Sequence, residues 1–157
     1  MSWNVADRAL QAGASLGLIV SGALLVRYWP HLPESVPIHF DLSGAPDAWG
    51  GKGWLLSLPL VSLALYAGMT VLERFPHRFN YLWRITPDNA GRQYAIARRA
   101  AAALKATIVW VFTAGLWLTC ETAVGRAHGL GPWFLPVALG SIAVVLGGFL
   151  LEGARAR

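Results

Sequence analysis

His39, Asp41 and Asp47 are the residues of this chain whose types and spacing come nearest to chemistry, and they lie with Lys52 in the segment LPESVPIHFDLSGAPDAWGGK, residues 32–52. Pro33 and Pro37 forbid regular helix where they stand, and Ser43, Gly44, Ala45, Pro46 and Asp47 supply turn chemistry. An extended run over 36–40 would send His39 and Asp41 to one face, because positions two apart share it, and the turn would return Asp47. A histidine with two carboxylates offers three metal ligands or an acid and base pair. The same residues have a plainer use: Asp41 and Asp47 cap turns, His39 bonds backbone, and Lys52 marks the start of a helix. No HExxH, GxSxG or phosphate loop occurs, and the set lacks the dense Cys and His spacing of a zinc site. No cofactor is therefore predicted; if a metal binds, His39, Asp41 and Asp47 are the set to hold it. Catalysis is the less favoured reading, and these residues with Lys52 are the candidates for binding a ligand or partner.

Membrane helices must position this segment. Of 157 residues 55% are hydrophobic and 13% charged, about half the charged share of a soluble domain. Four apolar stretches, at about 9–28, 53–73, 100–121 and 130–151, each have the roughly 20 residues that a crossing needs. Each must be helical, since lipid leaves unpaired backbone groups unsatisfied. Residues 1–157 are expected to form a single four-helix domain of the all-α integral membrane class. Tyr28 and Trp29 after the first stretch look like an interfacial anchor, so that stretch reads as a retained span and not a cleaved signal. Gly13 and Gly17 form a GxxxG that predicts close helix packing, within or between chains, and Trp110 and Trp117 lie deep enough to pack helices. Cys120 cannot form an internal disulfide and reads as packing. No ionisable residue sits at the centre of a span, which speaks against a transporter.

Basic residues orient the helices, because their translocation is disfavoured. The connection over 27–52 carries two, and that over 73–105 carries seven: Arg74, Arg78, Arg84, Arg92, Arg98, Arg99 and Lys105. With Arg8, Arg155 and Arg157 on the second side and Arg126 on the first, both termini are expected in the cytoplasm and the 32–52 segment outside. The formal net charge of +5 then reflects orientation and anionic lipid at the cytoplasmic face; no reader motif points to nucleic acid. Thr86, Pro87 and Asp88 read as N-cap, first helical position and acidic first-turn residue, so a basic cytoplasmic helix should start there and lead into the third span. Aromatic and basic residues over 75–85 are expected along the headgroups. Glu121, near the outer end of the third span, could pair with Arg126.

The segment LPESVPIHFDLSGAPDAWGGK resembles the LPxxxPxHFNxxGxPDxWGxK signature of SdpI-like membrane proteins, whose N-terminal domain is known as domain of unknown function 1648. A second stretch, FNYLWRITPDNAGRQY at residues 79–94, resembles that domain's FNYxxxITxxNAxRQY. The matching positions are Pro37, His39, Phe40, Gly44, Asp47, Gly50 and Lys52 in the first and Asn80, Asn89, Arg92 and Tyr94 in the second. Asp41 departs from the pattern, standing where the family usually has asparagine. The resemblance covers roughly residues 10–110 and implies a short, four-helix relative without the second domain of longer members. It further implies immunity to a secreted peptide toxin, or signalling through a cytoplasmic repressor held at the membrane.

The leading expectation is thus a multi-pass protein of the bacterial inner membrane that binds a ligand, peptide or partner through its outer segment, as an SdpI-like immunity or signalling protein. The alternatives are an accessory subunit of a larger membrane complex, or a metal-dependent membrane enzyme. Partners are the bilayer with its anionic lipid and a membrane protein or peptide; an oligomer is compatible with the glycine-rich first span.

Overall fold

The computed structural model describes residues 4–156 of the chain, so Arg157 of the orientation argument lies outside them. Helices α1 (Val5–Tyr28), α2 (Ser57–Leu72), α3 (Ala90–Ala123) and α4 (Phe134–Arg155) follow in order. Among the described residues these are the four helices long and apolar enough to cross a membrane, which makes this a multi-pass membrane protein. The architecture is not wholly helical, however. Between α1 and α2 the chain forms an antiparallel hairpin, β1 (Ser35–Phe40) and β2 (Pro46–Gly51), because prolines exclude helix here and a hairpin satisfies backbone groups at the edge of the bundle.

Local chemistry sets the helix ends. Asn4 and Asp7 exchange bonds in a capping box that opens α1: the Asp7 amide donates to Asn4 Oδ1 at 2.8 Å and the Asn4 amide to Asp7 Oδ2 at 3.1 Å. Helix α3 has 34 residues, about 50 Å at 1.5 Å per residue, against about 30 Å of hydrocarbon. It must therefore project from the membrane. Its first regular turn begins at Ala90, later than the Thr86-Pro87 pair predicts. Thr86 nevertheless acts as a cap: its amide donates to Asn89 Oδ1 at 2.8 Å, and the Ala90 amide reaches its carbonyl at 2.9 Å. Asn89 also donates to the Arg84 carbonyl at 3.1 Å, which holds residues 87–89 in a separate turn.

Helix α3 is the hub on which α1, α2 and α4 all pack. Helices α1 and α3 run parallel, as a ladder of pairs shows: Asp7 with Arg99, Gln11 with Lys105, Gly17 with Thr113 and Tyr28 with Glu121. Gly17 permits this approach, since a Cβ there would stand 2.6 Å from Val109 Cγ1. Trp110 Nε1 donates to the Gly13 carbonyl at 3.0 Å and Thr113 Oγ1 to that of Gly17 at 3.1 Å. The GxxxG thus packs within the chain, with the Trp110 indole bonded to it; Trp110 and Trp117 both stay partly exposed. Tyr28, Leu32, Val36, Leu55, Leu116 and Cys120 form the core at the hairpin end.

Candidate functional site

The hairpin closes through a turn that Asp41 organises. One oxygen of its carboxylate accepts from the Ser43 amide at 2.8 Å, the Ser43 hydroxyl at 2.6 Å and the Ala45 amide at 3.0 Å. The Ser43 hydroxyl first, then the Ala45 amide, hold the Asp41 carboxyl below its ordinary range. Gly44 completes the turn at φ +80°, a conformation natural to glycine. Its carbonyl accepts from the Leu130 amide at 2.8 Å, docking the tip onto the α3–α4 connection. A side chain at 44 would stand 2.5 Å from the Gly131 carbonyl oxygen. At the base of the hairpin, Lys52 Nζ pairs with Glu34 Oε1 at 2.8 Å and lies 5.8 Å from the Trp29 ring centroid.

The residues singled out from the sequence therefore separate into three places. His39 Nδ1 meets Asp47 Oδ1 at 2.6 Å on the exposed face of the hairpin, where the strand register is irregular on both sides of His39. Asp41 is committed to its turn, and Lys52 to Glu34. The extended run over 36–40 does not join His39 to Asp41, because the chain turns at Asp41 and its carboxylate folds back over Ser43. Among the described residues no three His, Cys, Asp or Glu side chains group as metal ligands.

Beneath the hairpin lies an apolar cavity of about 290 Å³. Pro37, Ile38 and Phe40 roof it, Trp54 and Leu58 wall one side, and Val111, Gly115 and Phe134 close the other. Ile38 and Trp54 of its lining remain substantially exposed, as does Trp49 elsewhere on the hairpin, and Leu42 at the turn is 85% exposed. The hairpin thus exposes the apolar side chains Ile38, Leu42 and Trp49 among polar ones, His39 paired with Asp47 and Asp41 with Ser43, and is braced at its base by Lys52–Glu34 and at its tip by Gly44–Leu130. Close by, Arg126 grips Glu121 with two bonds, Nε–Oε2 at 2.9 Å and Nη2–Oε1 at 3.0 Å, as the sequence anticipates, and the Tyr28 hydroxyl donates to the same carboxylate.

The second signature segment, at the other end of the bundle, is chiefly architectural. Asn89 shapes the turn before α3, and Tyr94 packs on Tyr81 with ring centroids 5.8 Å apart. Burial pushes the Tyr81 phenol up to about 12. Asn80 and Arg92 are exposed and do not join them. Their neighbour Gln93 is fully buried, and its amide donates to the carbonyls of Gly153 at 2.9 Å and Ala156 at 3.1 Å, fastening α4 to α3.

A polar centre that the sequence reading missed lies between α1, α2 and α3. Lys105 Nζ faces Glu73 Oε1 at 2.8 Å and donates to Gln11 Oε1 at 2.5 Å and Thr70 Oγ1 at 3.0 Å. Gln11 Nε2 donates to Glu73 Oε2 at 2.7 Å, while Tyr66 lies beside the ammonium and exchanges a hydrogen bond with Ser15 at 3.0 Å. Composition assigned Lys105 to the basic connection, whereas the fold buries it. The available signal was Gln11 and Ser15, two polar residues four apart on one face of α1 within a predicted span.

No curated protein and no solved structure matches the chain. Residues 16–63, from within α1 through the hairpin into α2, match the family model described as Domain of unknown function (DUF1648).

Proposed function

We propose that this protein is a recognition protein of the bacterial inner membrane, which holds its hairpin on the extracytoplasmic side and there captures the apolar side chains of a peptide or partner protein. The observation that carries this reading is the cavity of about 290 Å³ roofed by Pro37, Ile38 and Phe40. Small-molecule and side-chain sites are concave and mostly apolar, with few polar groups to fix orientation. Here the exposed His39–Asp47 pair supplies those groups at the edge of an apolar surface. Bracing at both ends keeps the hairpin in its bound shape, which lowers the ordering cost of association. The basic excess on the 73–105 side supports the orientation. An SdpI-like immunity or signalling role, in which the occupant is a toxic peptide or a signal, fits the same surface and requires no catalysis.

The test is cysteine accessibility in intact cells. Ser43→Cys, at the exposed tip, is expected to react with a membrane-impermeant maleimide; Trp54→Cys, at the cavity, is expected to react after purification and to be protected in native membranes. A tip labelled only after lysis would refute the orientation, and equal labelling of residue 54 in both settings would refute an occupied cavity.

A further inference from the structure

The end of the bundle opposite the hairpin carries an open cleft of about 620 Å³ where α1, α2 and α3 meet, lined by Arg8, Gln11, Thr70, Glu73, Arg74 and Arg98. Its acceptors are already engaged. Glu73 faces Lys105 at 2.8 Å and takes the Gln11 amide at 2.7 Å, and the side-chain oxygens of Gln11 and Thr70 both accept from Lys105. Asp7, beside Arg98, is shared between Arg98 at 3.5 Å and Arg99 at 3.2 Å. The cations are not matched in the same way. Arg8 and Arg74 are exposed, and among the described residues neither makes an ion pair. Two arginines of like charge thus line one cleft, beside acidic groups whose own charges are neutralised internally.

We propose that this cleft is a binding site for a phosphate oxyanion, clamped by Arg8 and Arg74 with Arg98 behind them. Guanidinium forks match phosphate oxygens two at a time, and a bound anion relieves the mutual repulsion of the pair. Arg8 stands one turn into α1 and Arg74 two residues beyond α2, so both lie where these helices reach the headgroup level. The phosphate is then that of an anionic phospholipid or a soluble phosphate. This site is separate from the hairpin and does not depend on what the hairpin binds.

The experiment uses the full chain purified in mild detergent, with phosphatidylglycerol, phosphatidylcholine and inorganic phosphate as probes. Loss of two charge-assisted contacts predicts that Arg8→Gln/Arg74→Gln weakens phosphate-group binding by about tenfold or more. Arg84→Gln/Arg92→Gln, which removes two exposed charges outside the cleft, is expected to bind as wild type. Preference for phosphatidylglycerol over phosphatidylcholine that inorganic phosphate does not displace assigns the site to a lipid headgroup. Inorganic phosphate binding that the first variant abolishes, without lipid preference, assigns it to a soluble phosphate. If the double variant does not fold, the single variants Arg8→Gln and Arg74→Gln carry the same comparison. The proposal is overturned if the cleft variants bind every probe as wild type does, or if Arg84→Gln/Arg92→Gln shows the same loss.

Discussion

Lys105 and Glu73 face each other at 2.8 Å, with side chains 0% and 2% exposed. They are 32 positions apart, one in α3 and the other just past the end of α2. An ionised pair withdrawn from water inside a membrane bundle survives only where further hydrogen bonds complete it. Gln11 and Thr70 do so for the ammonium, and Gln11 also serves the carboxylate. The pair therefore ties α1, α2 and α3 together at the end where no hairpin braces them.

Lys105→Met should leave Glu73 as an uncompensated buried charge and destabilise the protein by about 3–5 kcal/mol. Adding Glu73→Gln to it should recover most of that loss, because the remaining groups are neutral. Unfolding in mixed micelles, run as a double-mutant cycle, measures the coupling; simple additivity of the two single losses would mean that the pair carries no energy of its own.

Gly17→Leu should cost about 1–3 kcal/mol through overpacking, since Val109 Cγ1 stands 2.6 Å from its would-be Cβ. Gly22→Leu, one turn and a half further along α1 with no neighbouring atom within 4 Å, should be near neutral. Thermal denaturation of the two variants in the same detergent compares them directly, and equal losses would show that the contact between α1 and α3 is not what Gly17 serves.

Asp41 offers a pH prediction. Its carboxyl lies below the ordinary value of 3.8 in the folded chain, so its stabilising contribution is complete above that value and is lost as pH falls through the depressed folded one. Amide exchange at Ser43 and Ala45, corrected for intrinsic rates, should accelerate on acidification. Asp41→Asn, which restores the residue usual in the resembling family, keeps an acceptor for both amides and should abolish the pH dependence while retaining protection; Asp41→Ala should lose protection at every pH. Exchange independent of pH in the wild type would contradict this role.

The four spans were legible because hydrocarbon imposes length and apolarity on sequence directly. The hairpin was half legible: Pro33, Pro37 and the Ser43–Asp47 turn residues announced a non-helical segment, but not that Asp41 would turn back on Ser43 while His39 paired with Asp47. That depends on where the turn starts, and a shift of one position reverses which side chains share a face. Lys105 shows the opposite failure. A basic residue close to a span end counts equally as a loop charge or as a buried partner, and only the parallel packing of α1 on α3 brings Gln11 beside it. Gly17 was legible as a packing position, whereas the choice of partner helix was not.

Occupancy of the cavity under the hairpin by side chains of a peptide or protein is what the proposed function requires. Its most direct measurement is photo-crosslinking in native membranes from a photoreactive residue at position 38, with one at the exposed α4 position 144 for comparison. The same is repeated in a Gly115→Leu background, which puts a side chain into the cavity from α3. A discrete peptide or protein adduct is expected from position 38, absent from position 144 and lost when Gly115→Leu closes the cavity. Lipid adducts alone at position 38, or a protein adduct indifferent to filling the cavity, would contradict that occupancy.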